Sequence, residues 1–519
     1  MKYDFIVIGA GSAGSIMATR LSENPSVSVL LIESGPDYAS LNELPGELKR
    51  GFASSTAVVT SDHNWDYYGQ PTPFAEPMQV PRGKVTGGSS SINGQMYLRG
   101  IPEDFDKWAE WGNDEWSFEK TLPFMRKLET DLDYSGDFHG TDGPILVRRY
   151  KENQWLRPQS IFRSAALNLG YPEFSDLNHP DSEGISPTPL NNPHGIRWST
   201  SLGYLGMSRH RLNLTIRAKC DVRRIIFEGT RAIGLEIFSE GELFKVFCEN
   251  VILSAGAIGS PHLLMLSGIG NREELISNQI EVIHDLPGVG QNLRDHPVVY
   301  VSFKTKEEVE QKLIDGVSPR NQFCLRYTAT DSSLRNDMVI MMNSFATRAM
   351  DRLGEPVDGY HVSMMVSLYS AVSSGSLSLQ SADPGHQPFL DYNYFENPLD
   401  RSRMRDGIRR AIELSETEEF RTLVESRIEP LDSDLEGNAS LDSWMMREAV
   451  TGHHISGTCK MGPSSDPLSV VDQHGNVHGL NGLRIVDASI MPDCIRANTN
   501  VTTMMIGERV AEFLIADQK

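Results

Sequence analysis

Short apolar runs and one glycine-rich turn follow each other in strand, helix, strand order over the first 35 residues. YDFIVIG, residues 3–9, is almost wholly apolar and predicts a buried strand. GAGSAGS covers residues 9–15, IMATRLSE then predicts a helix, and SVSVLLIE predicts a second strand. This order predicts a βαβ unit in which a tight turn opens the helix.

Residues 300 to about 430 instead alternate polar and apolar positions, as in HVSMMVSLYS, and predict an antiparallel sheet. LRIVDASIMP and NTNVTTMMIGERVAEFLIA then return to the strand and helix style of the N-terminus. We therefore predict an α/β fold, α+β overall, in which a Rossmann-like domain is interrupted by a domain built on an antiparallel sheet. The predicted segments are 1–150, 196–299 and 453–519 for the Rossmann-like domain, 151–195 for a segment that connects to or belongs to the sheet domain, and 300–452 for the sheet domain.

Composition limits the class of protein and its partners. A chain of 519 residues is too long for one hydrophobic core, so two or more domains are expected. The net charge of −21 argues against a nucleic-acid partner, which would need clustered Lys and Arg. No apolar stretch reaches the roughly 18–20 residues of a membrane span, and the N-terminus lacks the layout of a signal peptide. Five widely spaced cysteines predict no disulfide framework, and we expect a cytoplasmic protein.

The first turn has the glycine spacing of a dinucleotide site. Gly9, Gly11 and Gly14 follow the G-x-G-x-x-G pattern, which allows a tight turn, close approach of a pyrophosphate and close helix packing. Glu33 follows 19 residues after Gly14, at the end of the second strand. A carboxylate there can accept hydrogen bonds from an adenosine ribose. This motif predicts dinucleotide binding but does not separate NAD from FAD.

A second glycine-rich run, PRGKVTGGSSSINGQMYLRG, covers residues 81–100. Gly and Ser over such a length carry an entropic cost unless another group must approach the backbone closely. The flanking Val85, Ile92 and Met96 are residues that pack, so a flexible linker is disfavoured.

GHHISGTCKMGP, residues 452–463, places His453 beside His454 and a cysteine five residues after His454. Zinc would need a second ligand pair, and the sequence offers none nearby, so we predict no metal. Adjacent side chains point in different directions. We therefore expect one of the two histidines to face a reaction centre.

Taken together, these motifs resemble the glucose–methanol–choline (GMC) family of FAD-dependent oxidoreductases. RGKVTGGSSSINGQMYLRG and GAIGSPHLLMLSGIG are similar to the family's two signatures, and PGVGQNLRDH, HISGTCKMG and NTNVTT are similar to its later motifs. The resemblance spans nearly the whole chain, in order. It implies that the Rossmann-like domain binds FAD and that the sheet domain, residues 300–452 with 151–195 as a connecting or substrate-domain segment, is the substrate-binding domain. It implies oxidation of an alcohol, in particular a primary alcohol, to the carbonyl by hydride transfer to flavin N5, followed by reoxidation by O2 or another acceptor.

The resemblance also implies cofactor contacts. Relatives that bind FAD covalently use a histidine where this chain has Ile92, so FAD is expected to be non-covalent. Asn93 can equally be a turn residue, Val222 a core residue, and Asp487 with Ala488 a strand-end turn. The expected FAD-binding residues are Gly9, Gly11, Ser12, Ala13, Gly14, Glu33, Gly88, Ser90, Asn93, Gly94, Val222, Asp487, Ala488 and Asn500.

For catalysis, the resemblance selects His454 as the base, because Gly-Thr-Cys follows it at the spacing His-x-x-Gly-Thr-Cys. Asn500 is expected as its partner, with Asn498 as the alternative and a simple helix N-cap as the other interpretation of Asn500. His453 and Met96 are candidates for the substrate pocket, as are Met341 and Met364, although methionines more often fill gaps in the core.

Three other functions remain open from the sequence. Some members of this fold keep FAD but act as lyases or decarboxylases, an NAD-dependent dehydrogenase would share the first motif, and a flavin-binding protein without turnover would need neither His454 nor its partner. The expected partners are a small-molecule alcohol and O2 or another electron acceptor.

Overall fold

The computed structural model describes residues 2–50, 59–306, 319–343, 347–350 and 356–517. Within these ranges the chain forms two large sheets, four two-stranded sheets and the helices that cover them. The strands are β1 (Lys2–Ile8), β2 (Val29–Ile32), β3 (Tyr67–Gly69), β4 (Met78–Val80), β5 (Glu129–Asp131), β6 (Ile145–Val147), β7 (Gly184–Pro187), β8 (Leu214–Arg217), β9 (Asp221–Glu228), β10 (Arg231–Ser239), β11 (Glu242–Leu253), β12 (Ile269–Gly270), β13 (His284–Asp285), β14 (Pro297–Thr305), β15 (Phe323–Tyr327), β16 (Met338–Met342), β17 (Thr347–Met350), β18 (Pro356–Leu368), β19 (Ser376–Ser378), β20 (Phe389–Asp391), β21 (Val424–Glu429), β22 (Val450–Thr451) and β23 (Leu483–Ile485). The α-helices are α1 (Ser12–Leu21), α2 (Gly46–Lys49), α3 (Pro102–Glu110), α4 (Phe118–Leu128), α5 (Arg157–Asn168), α6 (Gly206–Ser208), α7 (Gly256–Leu266), α8 (Arg272–Ser277), α9 (Pro398–Ser415), α10 (Glu418–Arg421), α11 (Asn438–Glu448) and α12 (Thr499–Asp517).

The first large sheet has the strand order β8–β2–β1–β11–β10–β9, and β23 also pairs with β11. Strands β8, β2, β1, β11 and β23 pair in parallel, whereas β9, β10 and β11 form an antiparallel meander. All of β2 and the last four residues of β1 are buried, as expected for parallel strands covered on both faces. The predicted βαβ unit is confirmed, with α1 joining β1 to β2.

The second large sheet has the order β21–β14–β18–β16–β15–β7, with β17 paired to β18 and β22 paired to β14. All of its described pairs are antiparallel. The second half of β14 buries every other residue, because successive side chains point to opposite faces of a sheet. The predicted antiparallel sheet is therefore confirmed.

Two packing contacts bring distant segments together. In the β14–β22 pair, Pro297 lies opposite Thr451, so the residues before β14 lie beside residues 452–454. Helices α1 and α12 pack closely at Gly507, where an added Cβ would lie 3.2 Å from the carbonyl oxygen of Ala13. A hydrogen bond of 2.7 Å from Ser12 Oγ to Asn500 Oδ1 joins the first turns of the same two helices.

We propose that the five predicted chain segments are the domain segments of this protein. Strand β7 of segment 151–195 and β22 of segment 300–452 belong to the second sheet, whereas β23 of segment 453–519 belongs to the first, which supports the division. Among the described residues no helix is both long and apolar enough to cross a bilayer.

Candidate active site

A cavity of about 740 Å³ is lined by residues from both large sheets. Most of the residues expected to bind FAD line it, whereas Gly14 and Ser90 do not. The expected residues in its lining are Gly9, Gly11, Ser12, Ala13, Glu33, Gly88, Asn93, Gly94, Met96, Val222, His453, His454, Asp487, Ala488 and Asn500.

The first glycine turn leaves backbone open to the cavity. Gly9 has a φ of +92°, and a Cβ on Gly14 would lie 1.9 Å from the Gly9 carbonyl oxygen, so both positions require glycine. A Cβ on Gly11 would meet its first atom only at 3.9 Å. Helix α1 begins at the next residue and has no side-chain cap, so its first N–H groups can bind an anion such as a pyrophosphate.

The second glycine run packs directly on the first. Gly88 has a φ of +52°, and a Cβ there would lie 2.7 Å from the Cα of Gly11. Ser90 is buried behind this loop and donates to the Gly87 carbonyl at 2.6 Å, so it shapes the loop, and Ser89 lines the cavity instead. Gly94 would place a Cβ in open space.

Glu33 lies at the end of β2, as predicted. Its carboxylate accepts hydrogen bonds from the backbone N–H groups of Ala10 and Gly35, each at 2.9 Å. Burial raises the pKa of this carboxyl to about 7. Glu33 thus holds the first glycine turn in place and also lines the cavity near Val222.

Asp487 lies just after β23, and its carboxylate is held by hydrogen bonds from neighbouring loops. Its oxygens accept from the backbone N–H of Gly256 at 2.9 Å, from Ser260 Oγ at 2.5 Å and from the N–H of Ser489 at 2.8 Å. Burial raises the pKa of Asp487. It therefore positions the start of α7 next to Ala488.

His454 is held at both ring nitrogens. Its Nδ1 lies 2.9 Å from Nδ1 of His296, and its Nε2 lies 2.8 Å from Nδ2 of Asn498. The expected pairing of His454 with Asn500 is therefore wrong in this structure, and the alternative, Asn498, is the partner. Asn500 lies in the first turn of α12 and accepts from Ser12 Oγ, so it faces the first glycine turn.

Two residues of the site, Asp295 and His296, lie at the end of the PGVGQNLRDH motif but were given no role from the sequence. His296 bonds His454, as described above, and is 1% exposed. Asp295 is also buried, and its Oδ1 accepts from the backbone N–H groups of both His296 and His454 at 2.8 Å. Its Oδ2 accepts from the Tyr394 hydroxyl at 2.6 Å and from Thr451 Oγ1. The Asp-His-Pro triplet before a strand was the available signal.

His453 points elsewhere than His454 because its backbone adopts a φ of +66°. The Thr451 hydroxyl accepts its N–H at 2.7 Å, and its carbonyl accepts from Arg82 Nη1 at 2.9 Å, which together stabilise this unusual conformation. Its side chain lines the cavity. Burial within the cavity walls, with Arg82 and Arg320 near, lowers the pKa of His453 to about 4.

The candidate methionines divide between the cavity wall and the core. Met96 lines the cavity, and its sulfur lies 3.6 Å from Asn498 Nδ2. Met341 and Met364 are fully buried core residues outside the lining, so they are not pocket residues. Met365, the next residue on β18, faces the cavity instead.

Among the described residues, Glu129, Asp131 and His139 form one group that could hold a metal ion, but arginine side chains already pair with its acids. Arg99 pairs with Glu129 at 2.6 Å, and Arg149 pairs with Asp131 at 2.8 Å. Burial alone would lower the pKa of His139, but its hydrogen bonds to these acids and to Asp176 raise it to about 10. We assign this group a structural role.

A glycine cradle that suits a dinucleotide and a histidine–asparagine pair share one cavity, which is the arrangement of a flavin-dependent oxidoreductase. Residues 3–298 and 371–507 match the N-terminal and C-terminal models of the GMC oxidoreductase family. The chain therefore belongs to the GMC oxidoreductases, as its motifs predicted, and it is an FAD-dependent enzyme that oxidises alcohols.

Curated relatives and solved structures agree with this family. The oxygen-dependent choline dehydrogenase of Klebsiella pneumoniae is 38% identical over 99% of this chain and 96% of its own length. Oxygen-dependent choline dehydrogenase 1 of Chromohalobacter salexigens is 36% identical over 98% and 94%. The structure of pyridoxine 4-oxidase from Mesorbium loti superposes with a TM-score of 0.90 at 27% identity, covering 99% of both chains. Formate oxidase of Aspergillus oryzae gives a TM-score of 0.89 at 26% identity, over 99% of this chain and 98% of its own.

Proposed function

We propose that this enzyme oxidises a primary alcohol to the aldehyde, with His454 as the base and Asn498 as the hydrogen-bond donor to the substrate oxygen. The observation that carries the proposal is the 2.8 Å contact between His454 Nε2 and Asn498 Nδ2 at the wall of the cavity. An alcohol oxygen in the cavity within hydrogen-bond distance of both nitrogens would replace this direct contact, donating its proton to His454 Nε2 and accepting a hydrogen bond from Asn498 Nδ2.

The chemistry requires both roles. A carbon–hydrogen bond releases hydride more readily as the hydroxyl proton leaves, and an unprotonated imidazole nitrogen can take that proton. The growing negative charge on oxygen needs a donor that stays neutral, which an amide N–H₂ provides. FAD, when bound, supplies the acceptor for the hydride.

The surroundings of His454 keep its ring unprotonated. Burial first, and then the neighbouring His296, His453 and Arg82, lower its pKa well below the ordinary 6.5. His454 is therefore ready to accept a proton throughout the neutral range. His453 has no comparable pair of ring contacts among the described residues, so we assign it to the substrate pocket.

The cofactor fits the described residues. The open backbone at Gly11, the uncapped start of α1, Glu33 and Val222 offer groups for the ADP half, and Gly94 leaves space at the second loop. Ile92 lines the cavity and cannot form a covalent bond to a flavin, so we propose that FAD is non-covalent. Acid precipitation should leave the yellow colour in the supernatant, and colour in the pellet would contradict this.

The relatives bear on the electron acceptor and on the type of reaction. Two are named as oxygen-dependent dehydrogenases and two as oxidases, which supports O2 as the acceptor and favours oxidation over the lyase alternative. We also propose a cytoplasmic location, because all five cysteines are unpaired and buried in the described parts of the chain, as suits a reducing compartment.

A panel of alcohols mixed anaerobically with the holoenzyme tests the proposal. We expect a primary alcohol to bleach the flavin, and admission of air to restore the colour with one peroxide formed per alcohol consumed. In His454→Ala the flavin should be reduced about 10²–10⁴ times more slowly than in the wild type. In His453→Ala, the matched neighbour, the rate of flavin reduction should stay the same. The proposal fails if His454→Ala reduces at the wild-type rate while holding full FAD.

A further inference from the structure

We propose that the backbone carbonyl of Ile495, acting through His296, fixes the proton of His454 on Nδ1 and leaves Nε2 as the free base. His296 is thereby a positioning residue for the reaction, although it does not line the cavity. This inference rests on the proposed function of His454, and its first test is independent of turnover.

The contact with Ile495 determines which ring nitrogen of His296 carries the hydrogen. Its Nε2 lies 2.8 Å from the carbonyl oxygen of Ile495. A carbonyl oxygen can only accept, so His296 Nε2 must carry the hydrogen. His296 is fully enclosed, and burial lowers its pKa to about 4, so the ring is neutral. Its Nδ1 therefore has a lone pair and no hydrogen.

The tautomer of His296 in turn determines which ring nitrogen of His454 carries the hydrogen. The two Nδ1 atoms of His296 and His454 lie 2.9 Å apart. Because His296 Nδ1 can only accept, His454 Nδ1 must donate, and the hydrogen of the neutral His454 ring lies there. His454 Nε2 then carries the lone pair on the side of Asn498.

An independent contact at the opposite side of His454 requires the same tautomer. The Tyr369 hydroxyl lies 3.4 Å from Asn498 Oδ1 and donates to it, which directs the amide Nδ2 toward His454. Burial raises the pKa of Tyr369, so its hydroxyl keeps its hydrogen. An amide nitrogen 2.8 Å from His454 Nε2 can only donate, and this requires an unprotonated Nε2.

The rings themselves are held in place. His296 stacks on Tyr369 with ring centroids 4.3 Å apart and planes within 10°. Asp295 binds the backbone N–H groups of both histidines at 2.8 Å. Neither imidazole can rotate without breaking these contacts, so the chain from Ile495 to His454 is a fixed path of donors and acceptors.

The opposite tautomer would place a hydrogen on Nε2, where the alcohol proton must arrive. A histidine base held in the wrong tautomer loses up to about 10⁴ in rate. Removal of the acceptor at position 296 leaves the Asn498 amide as the one remaining contact, in the described part of the chain, that selects the tautomer. We therefore expect a loss of about 10- to 100-fold in the rate of flavin reduction, with little change in the alcohol concentration that half-saturates it.

Histidine-selective ¹⁵N NMR of the holoenzyme reads the tautomer directly, because protonated and unprotonated ring nitrogens have well separated chemical shifts. The His454 signals are assigned by their loss in His454→Gln. We expect a neutral His454 protonated on Nδ1 and a neutral His296 protonated on Nε2. A wild-type His454 protonated on Nε2 would overturn the inference, whatever the activity of the enzyme.

The matched variants are His296→Leu, which removes the acceptor, and His296→Asn, whose Oδ1 can replace Nδ1 as the acceptor. In His296→Leu, flavin reduction should be slower and both His454 tautomers should be populated. In His296→Asn, the rate should return to within a few-fold of wild type and His454 should again be protonated on Nδ1. Equal rates and unchanged spectra in His296→Leu would contradict the proposal. If His296→Leu fails to retain FAD, the wild-type spectrum and His296→Asn decide it. Failure of the proposed function would show separately, as no alcohol reducing the wild-type flavin.

Discussion

Asn498 donates its amide to His454, whereas Asn500, only two residues later, accepts a hydrogen bond from Ser12, the first residue of α1. Asn498 precedes α12, and Asn500 lies inside its first turn. The two amides therefore face different halves of one cavity, the first toward the base and the second toward the expected position of the pyrophosphate.

Alanine substitutions should separate these two roles. Asn498→Ala should slow flavin reduction by about 10²–10³, because the substrate oxygen loses its neutral donor. In Asn500→Ala, once the variant is loaded with FAD, the flavin should be reduced at close to the wild-type rate, but the variant should release FAD more readily. Stopped-flow reduction and FAD content after gel filtration measure the two effects, and a dead but fully loaded Asn500→Ala would reverse our assignment.

The sequence was sufficient for the parts of the site that are local in the chain. Gly9, Gly11, Gly14 and Glu33 belong to one βαβ unit, where spacing determines position. His454 was selected by its spacing to a Gly-Thr-Cys run. Between the two asparagines, however, the sequence had no measure of where α12 begins, and a shift of two residues on a helix turns a side chain by about 200°.

Contacts between residues far apart in the chain could not be predicted from the sequence. His296 and His454 are 158 residues apart in sequence, and the pairing of β14 with β22 that joins them follows from the register of the second sheet. For the same reason the choice between Met364 and Met365 could not be made, since one residue of register changes the face of a strand.

The charges around the pocket bear on its substrate. Arg82 and Arg320 line the cavity near His453 and lower its pKa. Arg82 Nε and Nη2 are buried without a partner among the described residues. Fixed positive charge opposes a cationic substrate.

We therefore expect 3,3-dimethyl-1-butanol, the uncharged isostere of choline, to have a kcat/KM equal to or above that of choline. Steady-state oxygen consumption with both alcohols measures the ratio, and raised salt should reduce any difference that arises from charge. A strong preference for choline would show that a carboxylate compensates these arginines.

The buried group around His139 should make stability depend on pH. The folded pKa of His139 is about 10, above its unfolded value near 6.5. Its stabilising contribution is therefore complete below pH 6.5 and is lost as the pH rises toward 10. The pKa of Asp176, in contrast, is lowered below 3.8, so its contribution is lost in acid.

His139→Leu should lower the melting temperature strongly at neutral pH, because the buried Glu129, Asp131 and Asp176 are then left to share only Arg99 and Arg149 among the described residues. Loss of one partner from a buried charge group costs about 3–5 kcal/mol. The gap to wild type should narrow as the pH approaches 10. His210→Leu, at an exposed histidine, is the control and should change little. A gap that stays constant over this range would mean that His139 is not charged in the folded protein.

His454 should set the acid limit of the reaction. The base acts only when its ring is unprotonated, so kcat/KM falls as the pH drops through the pKa of His454. Burial and the neighbouring His296, His453 and Arg82 lower this pKa well below 6.5. We therefore expect kcat/KM to be level at and above pH 6.5 and to decline only in more acidic solution.

His453→Gln distinguishes the two adjacent histidines in that profile. His453 has a pKa lowered to about 4, so it is neutral over most of the range in which kcat/KM is measured. The acid limit should therefore stay where it is in His453→Gln, provided that the variant holds full FAD. An acid limit that disappears in His453→Gln, or one that lies above 6.5 in the wild type, would assign the titration to a group other than a buried, neutral His454.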